Sequence, residues 1–302
     1  MKANAQPPAL RSPDLHGSRV AIVGLGLMGG SLAAALKKRG ACAEVVGIAR
    51  RPATVDEAMQ LGYVDRATTE LEGVAEADVV VLATPVRTIL ASLPVLAPLL
   101  PTGCLLMDLG STKGRIAQAM NALPQDVHAC PAHPMCGKEV AGLQAADAAL
   151  YEGKTFVLTP LLRTAPAALA RAEQLARAVG AIPRRMDPRR HDRLVAVGSH
   201  LPYLLALSLV STAEEVGRED CLLWDLVASG FRDTSRLAAS DVQMMLDVLM
   251  TNSGAVTEAI ERFRESLEAV EKLVASGDEA ALQRIIQAVA VRRSAAFRTH
   301  QT

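Results

Sequence analysis

Residues 18–51, SRVAIVGLGLMGGSLAAALKKRGACAEVVGIARR, decide the fold. A β-branched apolar run (20–23) leads into Gly24-Leu25-Gly26-Leu27-Met28-Gly29, then a helix-forming run closed by Gly40, then a second apolar run (45–48). That is strand, glycine turn, helix, strand. Each glycine has its own task in holding a dinucleotide: Gly24 the tight turn, Gly26 close backbone approach to a pyrophosphate, Gly29 close packing of helix on sheet. The helix N-terminus then offers free N–H groups and the positive end of its dipole to phosphate, so the cofactor loop spans Gly24, Leu25, Gly26, Leu27, Met28 and Gly29.

The end of the second strand bears on which dinucleotide. An acid there would bind the adenosine ribose, but the chain reads Ala49-Arg50-Arg51-Pro52. With no carboxylate to repel a 2′-phosphate and two guanidiniums to pair with one, Arg50 and Arg51 point to NADP as the preferred cofactor, with NAD possible.

Further along, residues 53–61 are expected to be helical, and 77–83 (ADVVVLA) form a near-continuous apolar run, the mark of a parallel strand buried on both faces. It ends at Thr84-Pro85, where ligands sit in open α/β sheets. A helical segment at 93–100 is interrupted by prolines, and the strand at 104–107 runs into Asp108-Leu109-Gly110-Ser111-Thr112-Lys113. Two later strands (155–159 and 181–186) flank a helix (166–179), and the alternation stops near Pro188. The expected architecture is α/β: a flexible polar lead (1–17), a Rossmann-type doubly wound sheet (18–187), and an all-helical domain (188–302) for substrate and dimerisation. Within the last, Val256, Ile260, Phe263, Leu267, Val270 and Val274 alternate spacings of four and three, a heptad seam suited to packing between subunits. Gly277 stops that helix and Asp278 caps the next.

Composition narrows the function. The chain has 302 residues, long enough for two domains; half of it is apolar but only 3% aromatic, so the core is built from Ala, Leu and Val. Zero formal charge argues against a nucleic-acid or anionic-membrane partner. Five cysteines, an odd number without a CxxC pair, fit a reduced cytoplasmic setting. The N-terminus lacks the apolar core of a signal peptide. Residues 194–213 carry no Asp, Glu, Lys or Arg, but Gly198, His200, Pro202 and Tyr203 in their middle favour a buried helix of a soluble protein over a membrane span.

His128, Cys130, His133 and Cys136 fall close together, yet their spacing matches no usual ligand pattern and two prolines intervene, so no metal is expected. His133, before a proline and near the expected sheet rim, suits a neutral general base. Asp233 lies three residues before Arg236, so on a helix the two share a face and the acid can hold the guanidinium.

Taken in order, GLGLMGGS (24–31), ATPV (83–86), DLGSTK (108–113), HPMCGKE (133–139), HDRLVAVGSHLP (191–202) and GFRDTSRLAASD (230–241) resemble the prephenate and arogenate dehydrogenases of tyrosine biosynthesis. The resemblance spans almost the whole chain after the lead. It implies oxidative decarboxylation of a cyclohexadiene, with His133 taking the ring hydroxyl proton while hydride passes to nicotinamide. It also implies that Ser111 holds that histidine and the nicotinamide in register, that Arg236 binds a substrate carboxylate, and that Glu139 gates the site or binds an amino group. Of His191 and His200 one is expected to line the pocket, and His200 and Tyr203 are the candidate substrate contacts. Tyr203 stands where the family often has a second histidine, and Ser240-Asp241-Val242-Gln243-Met244-Met245 where it often has SDPxMW. Both departures fall on the substrate side of the site and leave prephenate and arogenate open. The expected partners are one of these small acids and a second copy bound through the helical domain. Two other readings are a β-hydroxyacid dehydrogenase, for which the helical half offers only Lys272 as acid/base, and an NADP-binding regulator without turnover.

Overall fold

The structure, a computed structural model, describes residues 8–12, 14–138 and 140–298. The opening stretch forms β1 (Arg19–Val23), α1 (Leu27–Lys38) and β2 (Glu44–Ile48), followed by α2 (Pro52–Gln60), β3 (Arg66–Thr68), β4 (Val79–Leu82), α3 (Val86–Leu96), β5 (Leu105–Asp108), α4 (Gly114–Asn121) and β6 (His128–Cys130). These six strands make one parallel sheet in the order β3-β2-β1-β4-β5-β6. Both faces are covered, which is why the strands are continuously apolar. Val20, Ile22, Val79, Val81, Leu105 and Met107 pack on one side with α1. Ala21, Val23, Val80, Leu82 and Leu106 pack on the other with Ile89 and Leu93 of α3 and Ile116 of α4. The doubly wound expectation is met.

The chain leaves this sheet at Pro131. A second, three-stranded sheet follows: β7 (Ala132–Pro134), β8 (Thr155–Leu158) and, after α5 (Pro166–Ala178), β9 (Ile182–Arg185), with β7 antiparallel and β9 parallel to β8. Helices then run to Arg298: α6 (Pro188–Val195), α7 (Leu201–Glu219), α8 (Leu223–Leu226), α9 (Ser229–Ser235), α10 (Val242–Thr251), α11 (Ser253–Ser276) and α12 (Glu279–Arg298). One compact unit ends at Ser253 and a second begins at Gly254. The second consists of α11 and α12, joined at Gly277 (φ +67°), with Asp278 accepting from the Ala281 N–H at 2.9 Å as the expected cap.

Three features differ from the sequence expectation. The described residues of the lead are tied down: Leu15 is buried, and the buried Arg171 guanidinium donates to the Ser12 carbonyl (2.8 Å) and Ser18 Oγ (2.7 Å). His128 bonds the Pro8 carbonyl through Nε2 at 2.8 Å. A buried cation and a buried imidazole take their partners from the lead. Pro94 does not break the helix; α3 begins at Val86, carries Pro94 inside it and runs to Leu96, where a single 3-10 turn containing Pro98 takes over. The charge-free stretch is not a fully buried helix. Pro188–Glu219 is one long helical run, long and apolar enough by length and composition to cross a membrane, and its Leu194, Val197, Leu207 and Val216 are exposed on the single chain. Between α6 and α7 it widens to a π-turn at residues 196–200. Pro202 explains this, because it has no N–H for the Gly198 carbonyl and its ring crowds that carbonyl.

Candidate active site

A cleft of about 600 Å³ opens at the carboxyl ends of β1, β4 and β5. The expected residues Gly26, Leu27, Met28, Thr84, Pro85, Ser111, His133 and Arg236 all line it. Gly24, Leu25 and Gly29, also expected in the cofactor loop, are not in the lining; Leu25 is buried in the core beside Gly47. Gly24 turns off β1 at φ +102°, and a Cβ on Gly29 would lie 1.8 Å from the Gly24 carbonyl oxygen, so α1 crosses the strand at backbone contact. A Cβ on Gly26 would meet nothing within 4 Å. That open space over a helix N-terminus is the shape a pyrophosphate fills.

Three helices start at this rim, and they are treated differently. The Asp247 carboxylate accepts from the Arg87 N–H (3.0 Å) in the first turn of α3, and Asp192 accepts from the Lys113 and Gly114 N–H groups (both 2.7 Å) at the start of α4. Two aspartates from the helical segments thus cap the sheet helices across the chain, a pairing of carboxylate with positive helix end. Among the described residues no side chain caps α1, whose N-cap is Gly26. Its N–H groups are left for a ligand.

The chemistry gathers on His133, carried by β7. Its Nδ1 lies 2.8 Å from His191 Nε2, and His191 Nδ1 lies 2.8 Å from Asp192 Oδ1. The protons follow from the end of this chain. An ionised carboxylate only accepts, so His191 donates from Nδ1 and, when neutral, accepts at Nε2. His133 therefore donates from Nδ1, which leaves the Nε2 lone pair available as a base. Burial first, and then the neighbouring His191, Lys113 and His200, hold the His133 imidazole well below its ordinary range and keep it neutral. The structure separates His191 from His200. His191 orders the base; His200, buried, takes the Asn252 Nδ2 at 3.3 Å on its Nδ1, and Asn252 in turn donates to the Asp192 carbonyl at 2.8 Å.

The remaining expected residues lie elsewhere. His200 and Tyr203 are not part of the cleft lining. Pro202 starts α7 after the wide turn, and Asn252 claims the imidazole of His200. Asp233 is exposed, with its carboxylate 3.4 Å from Arg232 Nε and outside the lining that includes Arg236. The adjacent cation is its partner in place of the one three residues on. Arg50 and Arg51 are exposed just after β2. Glu139 lies outside the described residues. Lys138 of the HPMCGKE stretch and Asp241 and Met244 of the stretch expected on the substrate side also line the cleft, as does Asp247, which no motif signals. Only the fold brings α10 to the rim.

Burial also lowers His200, to about 4. Both histidines titrate at lower pH folded than unfolded, so between about 6.5 and 4 the unfolded chain binds protons that the folded chain does not. Stability should be full above pH 6.5 and fall as pH drops through that window. Urea midpoints measured at pH 7.5 and 5 check this, and His200→Asn should flatten the difference.

Among known proteins the chain is similar to prephenate dehydrogenases. The model of the prephenate dehydrogenase nucleotide-binding domain matches residues 32–183, and that of the prephenate dehydrogenase dimerization domain matches residues 187–288. A prephenate dehydrogenase of Lactococcus lactis is 31% identical over 272 residues, covering 89% of this chain and 75% of the relative. The crystal structure of Aquifex aeolicus prephenate dehydrogenase with hydroxyphenyl propionate and NAD+ superposes with a TM-score of 0.87 at 32% identity, over 91% of this chain and 97% of the other. Synechocystis arogenate dehydrogenase gives 0.82 at 29% identity, over 91% and 99%.

Proposed function

Since the chain belongs to the prephenate dehydrogenase family, we propose that it oxidatively decarboxylates prephenate, arogenate or both in tyrosine biosynthesis, using a nicotinamide cofactor with NADP preferred. The observation that carries the reading is the fixed imidazole: Asp192 and His191 aim an unprotonated His133 Nε2 from within the cleft that also holds Gly26, Ser111 and Arg236.

Gly26 and the α1 N-terminus would hold a nicotinamide cofactor, which would supply the hydride acceptor. Everything else is done by the chain. His133 Nε2 takes the proton of the ring hydroxyl as that carbon is oxidised, and the imidazolium charge is steadied through His191 by Asp192. Arg236 holds a substrate carboxylate with its two-pronged donor face. Ser111, in the loop after β5, keeps base and nicotinamide in register. The ring then loses CO2 and becomes aromatic, which makes the step irreversible. A β-hydroxyacid dehydrogenase reading would rest on Lys272, whose ammonium is exposed and paired with Glu268 at 2.6 Å.

The preference for NADP is supported by Arg50 and Arg51 and by the lack of an acid after β2. Arg50→Ala/Arg51→Ala should raise the KM for NADP ~10-fold or more, the worth of one charge-assisted hydrogen bond, and leave that for NAD nearly unchanged. A homodimer through the helical segments is supported by the dimerization-domain match and by the exposed Leu194, Val197, Leu207 and Val216. The cytoplasm is the proposed compartment, in keeping with five free cysteines. The deciding assay crosses prephenate and arogenate with NADP+ and NAD+ and follows absorbance at the reduced nicotinamide band. No reduced cofactor in any of the four combinations would overturn the reading.

A further inference from the structure

Beneath His133 lies a buried ion pair that the reaction does not use. Lys113 and Asp108 are both fully buried, and the Lys113 ammonium contacts the Asp108 carboxylate. An ion pair removed from water is expensive unless its remaining donors and acceptors are satisfied. Here two of them are spent on one residue. Lys113 Nζ donates to the Ala132 carbonyl (2.6 Å), and Asp108 Oδ1 accepts the Ala132 N–H (3.1 Å). Both backbone groups of the residue just before His133 are therefore held by side chains from the end of β5 and the loop after it. The Gly110 N–H (2.8 Å) completes the shell around Asp108.

Lys113 also reaches His133 by a second route. Its own backbone N–H donates to Asp192 Oδ1 at 2.7 Å, the oxygen that orders His191 and through it the His133 ring. We propose that Lys113 is a positioning residue for the reaction, gripping the strand of His133 through its ammonium and the ring of His133 through its backbone.

The proposal rests on the dehydrogenase reading for its kinetic consequence, but not for its structural one. The groups facing His133 are His191 from α6, His200 from the π-turn, Lys113 and Asp108 from β5 and its loop, Asp192 behind His191, and Arg236 and Lys138 across the cleft. Of these, Lys113 is a buried cation whose repulsion opposes protonation of the imidazole.

Lys113→Met leaves Asp108 buried and unpaired, so the charge-balanced Lys113→Met/Asp108→Asn is made beside it. Two readouts are taken. Histidine-selective NMR of the ligand-free protein follows the His133 titration, identified by its loss in His133→Asn, and steady-state kinetics separates kcat from the KM for NADP+. In Lys113→Met the His133 titration should move to higher pH, since only the cation is lost, and in the double variant, which removes both charges, kcat should still fall ~100-fold, the cost of about 1 Å misplacement of a catalytic group, with the KM for NADP+ little changed. An unmoved titration with an unchanged kcat would overturn the proposal. If the wild-type chain turned over neither prephenate nor arogenate, the dehydrogenase reading would fall, while the NMR titration would still decide whether Lys113 governs His133.

Discussion

Replacing His133 by asparagine should lower kcat ~10²–10⁴-fold, the usual worth of a positioned general base, while leaving the dissociation constant for NADP+ close to that of the parent. Asparagine can keep a donor toward His191 Nε2, so the strand and its neighbours stay in place, but its amide has no lone pair basic enough to take the hydroxyl proton. His191→Asn should cost less. That change leaves the base present but frees its tautomer and orientation, since Asp192 no longer reaches the His133 ring through an imidazole. Stopped-flow turnover and cofactor titration on both variants give the ranking. A His133 variant that turned over normally would remove it from the mechanism, and equal losses in the two variants would make His133 no more than one link in a structural chain.

The parts of this site differ in how plainly the sequence announces them. β1, β2, β4 and β5 are legible because strands buried on both faces must be apolar throughout, and the glycine turn is legible because each of its glycines answers a local steric demand. His133 stands out through its motif. What cannot be read is which distant group completes it. His191 and His200 are both histidines on one helical run, and only the widened turn ahead of Pro202 decides which ring meets β7 and which meets Asn252. The caps of α3 and α4 were equally hidden, because a sequence shows a cap when it precedes its own helix, and Asp247 and Asp192 cap helices that come long before them.

Asp233 shows the opposite failure, where a local rule was available and misled. Spacing of three puts it on the face of Arg236, but Arg232 is nearer and Asp233 is exposed, so the pairing is a surface contact worth well under ~1 kcal/mol. The lead was misread for a similar reason. Its polar composition suggested freedom, whereas its Ser12 carbonyl meets a buried guanidinium from α5 and its Pro8 carbonyl meets the His128 imidazole. Polar main chain can be recruited by a distant buried charge without any signal in its own residues.

The glycine turn allows a paired test that separates folding from binding. A methyl added at Gly29 would sit 1.8 Å from the Gly24 carbonyl oxygen and 2.9 Å from Ala83 Cβ, contacts that only a shift of α1 against the sheet can relieve. Gly29→Ala should therefore lower stability by at least ~1–3 kcal/mol, the cost of overpacking a tight contact, and displace the helix N-terminus enough to abolish cofactor binding. Gly26→Ala meets no protein atom within 4 Å, so its melting temperature should match the parent. Yet the methyl projects into the space reserved for the pyrophosphate and should push it off the α1 N–H groups. Loss of one such charge-assisted contact weakens binding ~10–100-fold. Thermal melts and NADP+ titrations of the two variants read both effects. If Gly26→Ala bound NADP+ as tightly as the parent, the cofactor would not pass over the α1 N-terminus, and the placing of hydride acceptor beside His133 would have to be abandoned.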